Sequence, residues 1–305
     1  MEVIKDLSKW KIDSSTIITI GNFDGVHLGH QTIIKKVLSL AKEFNLKSGV
    51  VTFSPHPIKF FNKDIKLIMT ERKKIKIFES LGIDYFFNLT FNESIANMDP
   101  EIFIREFLVK SLKASFIVVG YDYRFGRKRK GDYELLKMLE TKYGYTAFKI
   151  PPVKIDDIIV SSTNIRSLLS KGDVELANKM LGRPFTLEGV VVKGDGYGRL
   201  LGYPTANLSV KNELIPANGI YATKTIINNK KYLSVTNIGI RPTLVNKNEV
   251  RVETHIFDFD EDIYDNFIEV EFHSYIREEK KFEDVNSLIK QIQKDCEKAK
   301  EILCR

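Results

Sequence analysis

Eleven residues, Gly21 to Gln31 (GNFDGVHLGHQ), constrain this chain more than any other stretch because of what flanks them. A short β-branched run precedes them, Ile17, Ile18 and Ile20, of the kind a buried parallel strand needs. After them Ile33, Ile34, Val37, Leu38 and Ala41 recur at helical spacing. Strand, glycine-bearing turn and helix in that order place the turn at a strand's carboxyl end, where open α/β sheets bind ligands. Gly21, Gly25 and Gly29 permit tight bending and close approach, and the amides that open the helix offer free N–H donors and a positive dipole end to a phosphate. His27 and His30 share one face of the first helical turn, from which imidazoles can donate hydrogen bonds to an α-phosphate. Useful catalysis asks for about 8 kcal/mol or more of barrier lowering, and one charge-assisted hydrogen bond supplies roughly 1.5–3 kcal/mol. Two histidines therefore need help from the helix terminus, substrate positioning and a metal. Taken bare, H-x-G-H describes a capped turn as well as a catalytic one.

At 305 residues, 43% apolar and 29% charged, the chain has the profile of a soluble globular protein of one large or two ordinary domains. Its net charge of +7 favours anionic ligands, and phosphorylated small molecules suit it as well as RNA does. Cys296 and Cys304 form no C-x-x-C, so neither a disulfide framework nor a cysteine zinc site is expected, and a reducing compartment is. The start, MEVIKDLSKW, has early acidic residues and no apolar core of a signal peptide, and no later run has the length of a membrane span. The expectation is a cytoplasmic protein.

Ser48 to Phe53 (SGVVTF) reads as a second buried strand, halted by Ser54-Pro55-His56-Pro57, where His56 is a turn residue between prolines. Residues 71–81, with Ile75, Ile77, Phe78 and Leu81 among charges, read as a helix packed on one side, and 84–89 as a third strand. Met98-Asp99-Pro100 starts a helix through about Lys113 with Phe103, Ile104, Phe107 and Leu108 buried. Phe116 to Gly120 is the most strand-like run of this half and leads into YDYRFGRKRKGD, whose Arg124 and 127–130 basic residues read as a solvated charged loop. The Gly126 to Gly131 spacing fails as a Walker A loop, since Asp132-Tyr133 stands where Lys-Ser/Thr is required. Ser161 to Arg166 (SSTNIR) can cap a helix start, and a short helix over 174–181 ends at Gly182-Arg183-Pro184. A boundary there gives domains 1–182 and 183–305. Beyond Phe185 strand and helix alternation gives way to five short strands with turns, the spacing of a closed antiparallel barrel, and then to a helix over 285–303. In 250–259 the period of two puts Val252 and Ile256 on one face and Glu253, His255 and Phe257 on the other; a Glu so placed is ordinarily solvent-facing.

The 21–31 turn and its flanks resemble the nucleotidyltransferase signature of the prokaryotic bifunctional riboflavin kinase/FMN adenylyltransferase (FAD synthetase) family. TFSPHP (52–57), VVGYDYRFG (118–126), SSTNIR (161–166), LGYPTAN (201–207), NIGIRPT (237–243) and VETHIFDF (252–259) are similar to further family motifs, in family order. The resemblance implies a Rossmann-like, parallel-sheet α/β nucleotidyltransferase domain followed by an antiparallel β-barrel domain with a terminal helix. It implies that Gly21, Phe23, Asp24, Gly25, His27, His30, Ser162, Thr163 and Arg166 hold the nucleotide for adenylyl transfer, with the two histidines catalytic. Phe53, Pro55, His56, Pro57, Asp122, Phe125, Gly126 and Arg241 would contact the flavin. Gly194, Gly198, Gly202, Pro204, Thr205 and Asn207 would hold a second ATP. Among them Thr205 and Asn207, two apart on an extended segment, are hard oxygen ligands suited to Mg²⁺ shared with ATP phosphates. Glu253 inherits the base role and His255 a structural one. Tyr123, Tyr197 and Leu244 depart from the commoner Phe, Arg and Phe. The implied activities are Mg²⁺-dependent phosphorylation of riboflavin to FMN by ATP, in 183–305, and adenylyl transfer from ATP to FMN, giving FAD and pyrophosphate, in 1–182.

Partners on this reading are riboflavin, FMN, FAD and ATP, with no nucleic acid and no membrane; self-association is left open. Two other readings stand beside it: a different adenylyl- or cytidylyltransferase with an appended β domain, and a regulator that binds RNA or flavin through the 127–130 loop.

Overall fold

The computed structural model describes residues 1–12, 14–61, 64–241 and 249–304, with Lys9, Arg241 and Glu249 described by their backbone alone. Its contacts divide the chain into two units, Met1–Lys66 with Glu71–Ser161, and Leu67–Thr70 with Ser162–Arg305.

Among the described residues of the first unit, six parallel strands make one sheet: β1 (Glu2–Ile4), β2 (Thr16–Ile20), β3 (Lys47–Ser54), β4 (Tyr85–Thr90), β5 (Ala114–Gly120) and β6 (Thr146–Ile150), in the order β1-β4-β3-β2-β5-β6. All five residues of β2 are buried, as a central strand covered on both faces requires. Ile17 packs on Ile33, Val37, Leu40 and Ala41 of the helix Leu28–Phe44. Ile18 and Ile20 face the opposite layer with Val51, Phe87, Ile104 and Leu108. Leu40, rather than the expected Leu38, completes the buried stripe of that helix, because the 33–37–40–41 spacing follows 3.6 residues per turn more closely. The helix expected at Pro100 starts there, with Asp99 accepting from the Glu101 N–H at 2.9 Å, and runs to Ser111 in a wider π-type coil. From β2 the chain builds outward through β3 and β4, then returns to the other side of β2 for β5 and β6. The sheet's switch point therefore lies between β2 and β5, and the turns that leave those strands flank its crevice. A small hairpin, β7 (Lys154–Ile155) and β8 (Ile158–Ile159), follows.

The second unit opens with the helices Ser162–Ser170 and Val174–Leu181, the latter capped by Asp173 and closed by left-handed Gly182. Then β9 (Phe185–Val192), β10 (Ala206–Val210), β11 (Gly219–Ile227), β12 (Lys230–Arg241), β13 (Glu249–Ile256) and β14 (Phe267–Arg277) close an antiparallel barrel in the order β10-β13-β12-β11-β14-β9. Inside it Thr223, Thr225, Ser234, Thr236 and Thr254, each at most 1% exposed, join their hydroxyls at 2.8–2.9 Å. The alternate side chains of these strands face outward. The helix Val285–Leu303 lies on the outward face over Ala222, Val235 and Phe257 through Cys296 and Ala299. Its buried Asp295 is held by Arg277 of β14 through two bonds, Nε to Oδ1 at 2.9 Å and Nη2 to Oδ2 at 2.6 Å. No helix among the described residues is long and apolar enough to cross a membrane.

Candidate active sites

In the first unit the turn after β2 is buried although polar: Phe23, Asp24, Val26 and His27 are 1%, 2%, 0% and 6% exposed. Phe23 and Val26 have φ of 49° and 37°, values that cost roughly 1–3 kcal/mol each for side-chain-bearing residues. Such strain persists only where the surroundings enforce it. His27 caps the helix, its Nδ1 accepting from the His30 N–H at 3.3 Å, which leaves the proton of a neutral ring on Nε2. The two imidazoles stack with centroids 3.6 Å apart. A Cβ at Gly29 would stand 3.2 Å from the His27 ring, so the glycine leaves space for that stack.

Other first-unit residues singled out from the sequence lie on strand-end loops. Phe53 ends β3 against Phe91 and Phe107. Pro55 is exposed, Pro57 half-buried, and His56 buried, its Nδ1 accepting from the Ile58 N–H at 3.2 Å. After β5, Asp122 is exposed, whereas Phe125 is buried against Phe103 and Tyr123, and Gly126 abuts Pro100. Burial raises the Tyr123 phenol above its ordinary pKa. Gly21 and Gly25 belong to the turn itself, Gly25 at φ 85°. Ser162, Thr163 and Arg166 stand on the first turns of Ser162–Ser170, in the second unit. Lys74 was not anticipated: it donates from the helix Glu71–Leu81 to the Asn22 carbonyl at 3.0 Å, and it stands one turn before the fully buried Phe78.

In the second unit the candidate residues gather on the barrel's outer face. Glu253 of β13 lies directly across from Asn207 of β10 on one side and Asn237 of β12 on the other, so the three side chains form a row. All three, with Thr205, line a cleft of about 520 Å³ whose apolar wall includes Ile220, Val235, Leu288 and Ile292. A second cleft of about 500 Å³ is lined by Pro204, Phe259, Tyr264 and Asp260, and Thr205 borders both. Close packing holds the donors: a Cβ at Gly194 would fall 2.2 Å from Asn207 Nδ2, and one at Gly198 would fall 2.5 Å from the Tyr203 carbonyl. Arg251 pairs with Asp195 at 2.8 Å, tying the glycine loop to β13. His255 Nδ1 donates to the Pro204 carbonyl at 2.8 Å. Gly202 is exposed at φ 84°. The Arg241 side chain and Pro242, Thr243 and Leu244 lie outside the described residues. Asn237 was missed; its Oδ1 is buried with no hydrogen-bond partner among the described residues. A polar amide within the strand-like run Val235 to Ile240 was the available signal.

Comparison with known proteins agrees with this two-part layout. The FAD synthetase family model matches residues 9–164, and the riboflavin kinase family model matches residues 181–303. A bifunctional riboflavin kinase/FMN adenylyltransferase of Buchnera aphidicola subsp. Schizaphis graminum is 40% identical over 292 residues, 94% of each chain. The chain belongs to the bifunctional riboflavin kinase/FMN adenylyltransferase family. Members from Bacillus subtilis, at 36% identity over 94% of this chain and 92% of theirs, and Escherichia coli K12, at 34% over 92% and 90%, match along the same length. A Streptococcus pneumoniae crystal structure described as a macrolide-efflux protein superposes with TM-score 0.90 at 31% identity, covering 98% of both chains. The family's two enzymatic domains are thus both present here.

Proposed function

We propose that this chain makes FMN from riboflavin on its barrel, within 183–305, and FAD from FMN at the 21–31 turn, within 1–182. The observation that carries the first assignment is the Asn207–Glu253–Asn237 row with Thr205 at the border of two clefts, one with an apolar wall for a flavin and one for a nucleotide. Both clefts have the size of small-molecule sites.

For phosphorylation, Glu253 accepts the proton of the riboflavin primary hydroxyl as that oxygen bonds to the γ-phosphorus, while the bond from phosphorus to the bridging oxygen of ADP breaks. Thr205 Oγ1 and the Asn207 carbonyl would hold Mg²⁺ together with ATP phosphates. Two neutral oxygen donors fit an ion that takes the rest of its ligands from phosphates and water. Bound there, Mg²⁺ would offset the negative charge of the phosphates. Gly194, Gly198, Gly202 and Pro204 shape the backbone around those donors. His255 holds that segment through Pro204.

For adenylylation, an FMN phosphate oxygen bonds to the α-phosphorus of ATP and the bond to the β-bridging oxygen breaks, releasing pyrophosphate. His27 Nε2–H and His30 donate to the phosphate oxygens on which charge accumulates, backed by the helix N-terminus. Gly21, Phe23, Asp24 and Gly25 shape that cradle, and Ser162, Thr163 and Arg166 are assigned to the nucleotide by the SSTNIR stretch, a guanidinium being suited to phosphate. Phe53, Pro55, His56, Pro57, Asp122, Phe125, Gly126 and Arg241 are assigned to the flavins. ATP and FMN are supplied inside the cell, which supports a cytoplasmic enzyme.

The test is chromatographic separation of riboflavin, FMN and FAD after incubation with ATP and Mg²⁺. Glu253→Ala abolishes FMN formation while added FMN is still converted to FAD, and His30→Ala does the reverse. Equal loss of both steps in either folded variant rejects the assignment.

A further inference from the structure

The strained turn after β2 needs something to hold it, and the helix Glu71–Leu81 supplies two contacts. Phe78 meets Phe23 edge to face at 5.8 Å, and Phe23 meets His30 in the same way at 5.1 Å. One turn earlier, Lys74 Nζ donates to the Asn22 carbonyl at 3.0 Å, and Thr52 Oγ1 of β3 donates to the same oxygen at 3.3 Å. That carbonyl belongs to the peptide plane preceding Phe23, one of the two planes that define its φ of 49°. We propose that Lys74 is a positioning residue for FMN adenylylation, its ammonium fixing the Asn22–Phe23 peptide so that the turn presents His27 and His30 to the phosphates.

The alternative, a lysine that merely dresses a solvated helix face, does not account for its surroundings. Burial lowers the Lys74 pKa, while the charges of Asp24 and, on its own helix, Glu71 raise it. A methionine would fill the same stem volume without desolvating a charge. What the ammonium adds is a donor for the Asn22 carbonyl and a positive charge that the negative charge of the buried Asp24 favours.

The proposal rests on adenylyl transfer occurring at the 21–31 turn, and the experiment separates the two. In the whole 305-residue chain, Lys74→Met is expected to lower kcat for FMN adenylylation by about tenfold or more, the scale of a sub-ångström displacement of catalytic groups, with KM values for ATP and FMN changed by less than about threefold. Riboflavin phosphorylation should stay at the parent rate. Lys74→Arg, which keeps charge and donor, should return kcat to within about threefold of the parent, a rescue that lost packing alone would not give. Adenylylation within about twofold of the parent in Lys74→Met overturns the proposal, as does an arginine variant no better than the methionine one. If Lys74→Met lacks the parent's near-ultraviolet circular dichroism, Lys74→Gln takes its place: a fivefold or greater fall in kcat (about 1 kcal/mol) supports the role, and a parental kcat overturns it. His30→Ala is measured alongside. If it also proves fully active, the placement of the reaction at this turn fails, and not the lysine alone.

Discussion

Gly194→Ala should silence the kinase while leaving the fold almost untouched. The added Cβ would stand 2.2 Å from Asn207 Nδ2, 2.5 Å from its Cγ and 2.8 Å from its Oδ1. Carbon atoms settle at about 3.5–4.0 Å, so the amide must retreat by more than about 1 Å. The obstacle is the end of a side chain and not backbone, so Asn207 can turn aside at roughly 0.5–1.5 kcal/mol, the cost of an off-rotamer torsion. The chemistry does not tolerate the same movement: a 1 Å misplacement of a positioning group costs about 10²-fold, close to 2.7 kcal/mol of barrier. The assay is the initial rate of FMN formation from riboflavin across a Mg²⁺ titration, with conversion of added FMN to FAD as the internal control. The expected result is a fall of about 100-fold in FMN formation and a higher Mg²⁺ requirement, with the control unchanged. A kinase rate within about threefold of the parent would refute the placement of Asn207 at the phosphates.

Two further predictions concern stability. Asp295→Ala strands the Arg277 guanidinium against the terminal helix, so the second unit should lose about 3 kcal/mol and melt roughly 6–12 °C lower by calorimetry, with part of the loss recovered when Arg277→Met is added. At Asp84 burial raises the carboxyl pKa, but hydrogen bonds from Lys47 and Ser48 outweigh it and the net shift is downward. The unfolded chain then takes up the proton first as acid is added, so this stabilisation is complete above about pH 5 and fades as pH falls through the lowered value. Melting temperatures measured below pH 5 should accordingly drop less steeply in Asp84→Asn than in the parent.

Most of the architecture was legible because the two halves carry different periods. β2 and its helix announce a parallel layer through β-branched residues followed by 3.6-residue spacing, and the strands beyond Phe185 alternate with a period of two. Short or interrupted strands escaped. β1 has three residues of which Glu2 and Val3 are exposed, β6 buries only Ala147 well, and β10 was read as the extended arm of the 201–207 motif and not as a barrel strand. Residues that act across elements were the hardest to find. Lys74 looks like any other charge in ERKKIKIFESL until its register with Phe78 is noticed, and Asn237 becomes informative only when β12 pairs with β13 in the register that sets it beside Glu253. Glu253 itself owed its assignment to the family motif, since strand alternation alone would have left it facing water; on this barrel the outward face is the one that carries the cleft.

The most direct test of the two-pocket account follows phosphorus through the reaction. Riboflavin is incubated with Mg²⁺ and ATP labelled at either the γ- or the α-phosphorus, and FMN and FAD are isolated. The account predicts γ-label in FMN and in the FMN half of FAD, and α-label in FAD alone. In Gly194→Ala supplied with FMN, α-label should still enter FAD at the parent rate. Label from the α position in FMN, or loss of α-label incorporation in that variant, would contradict it.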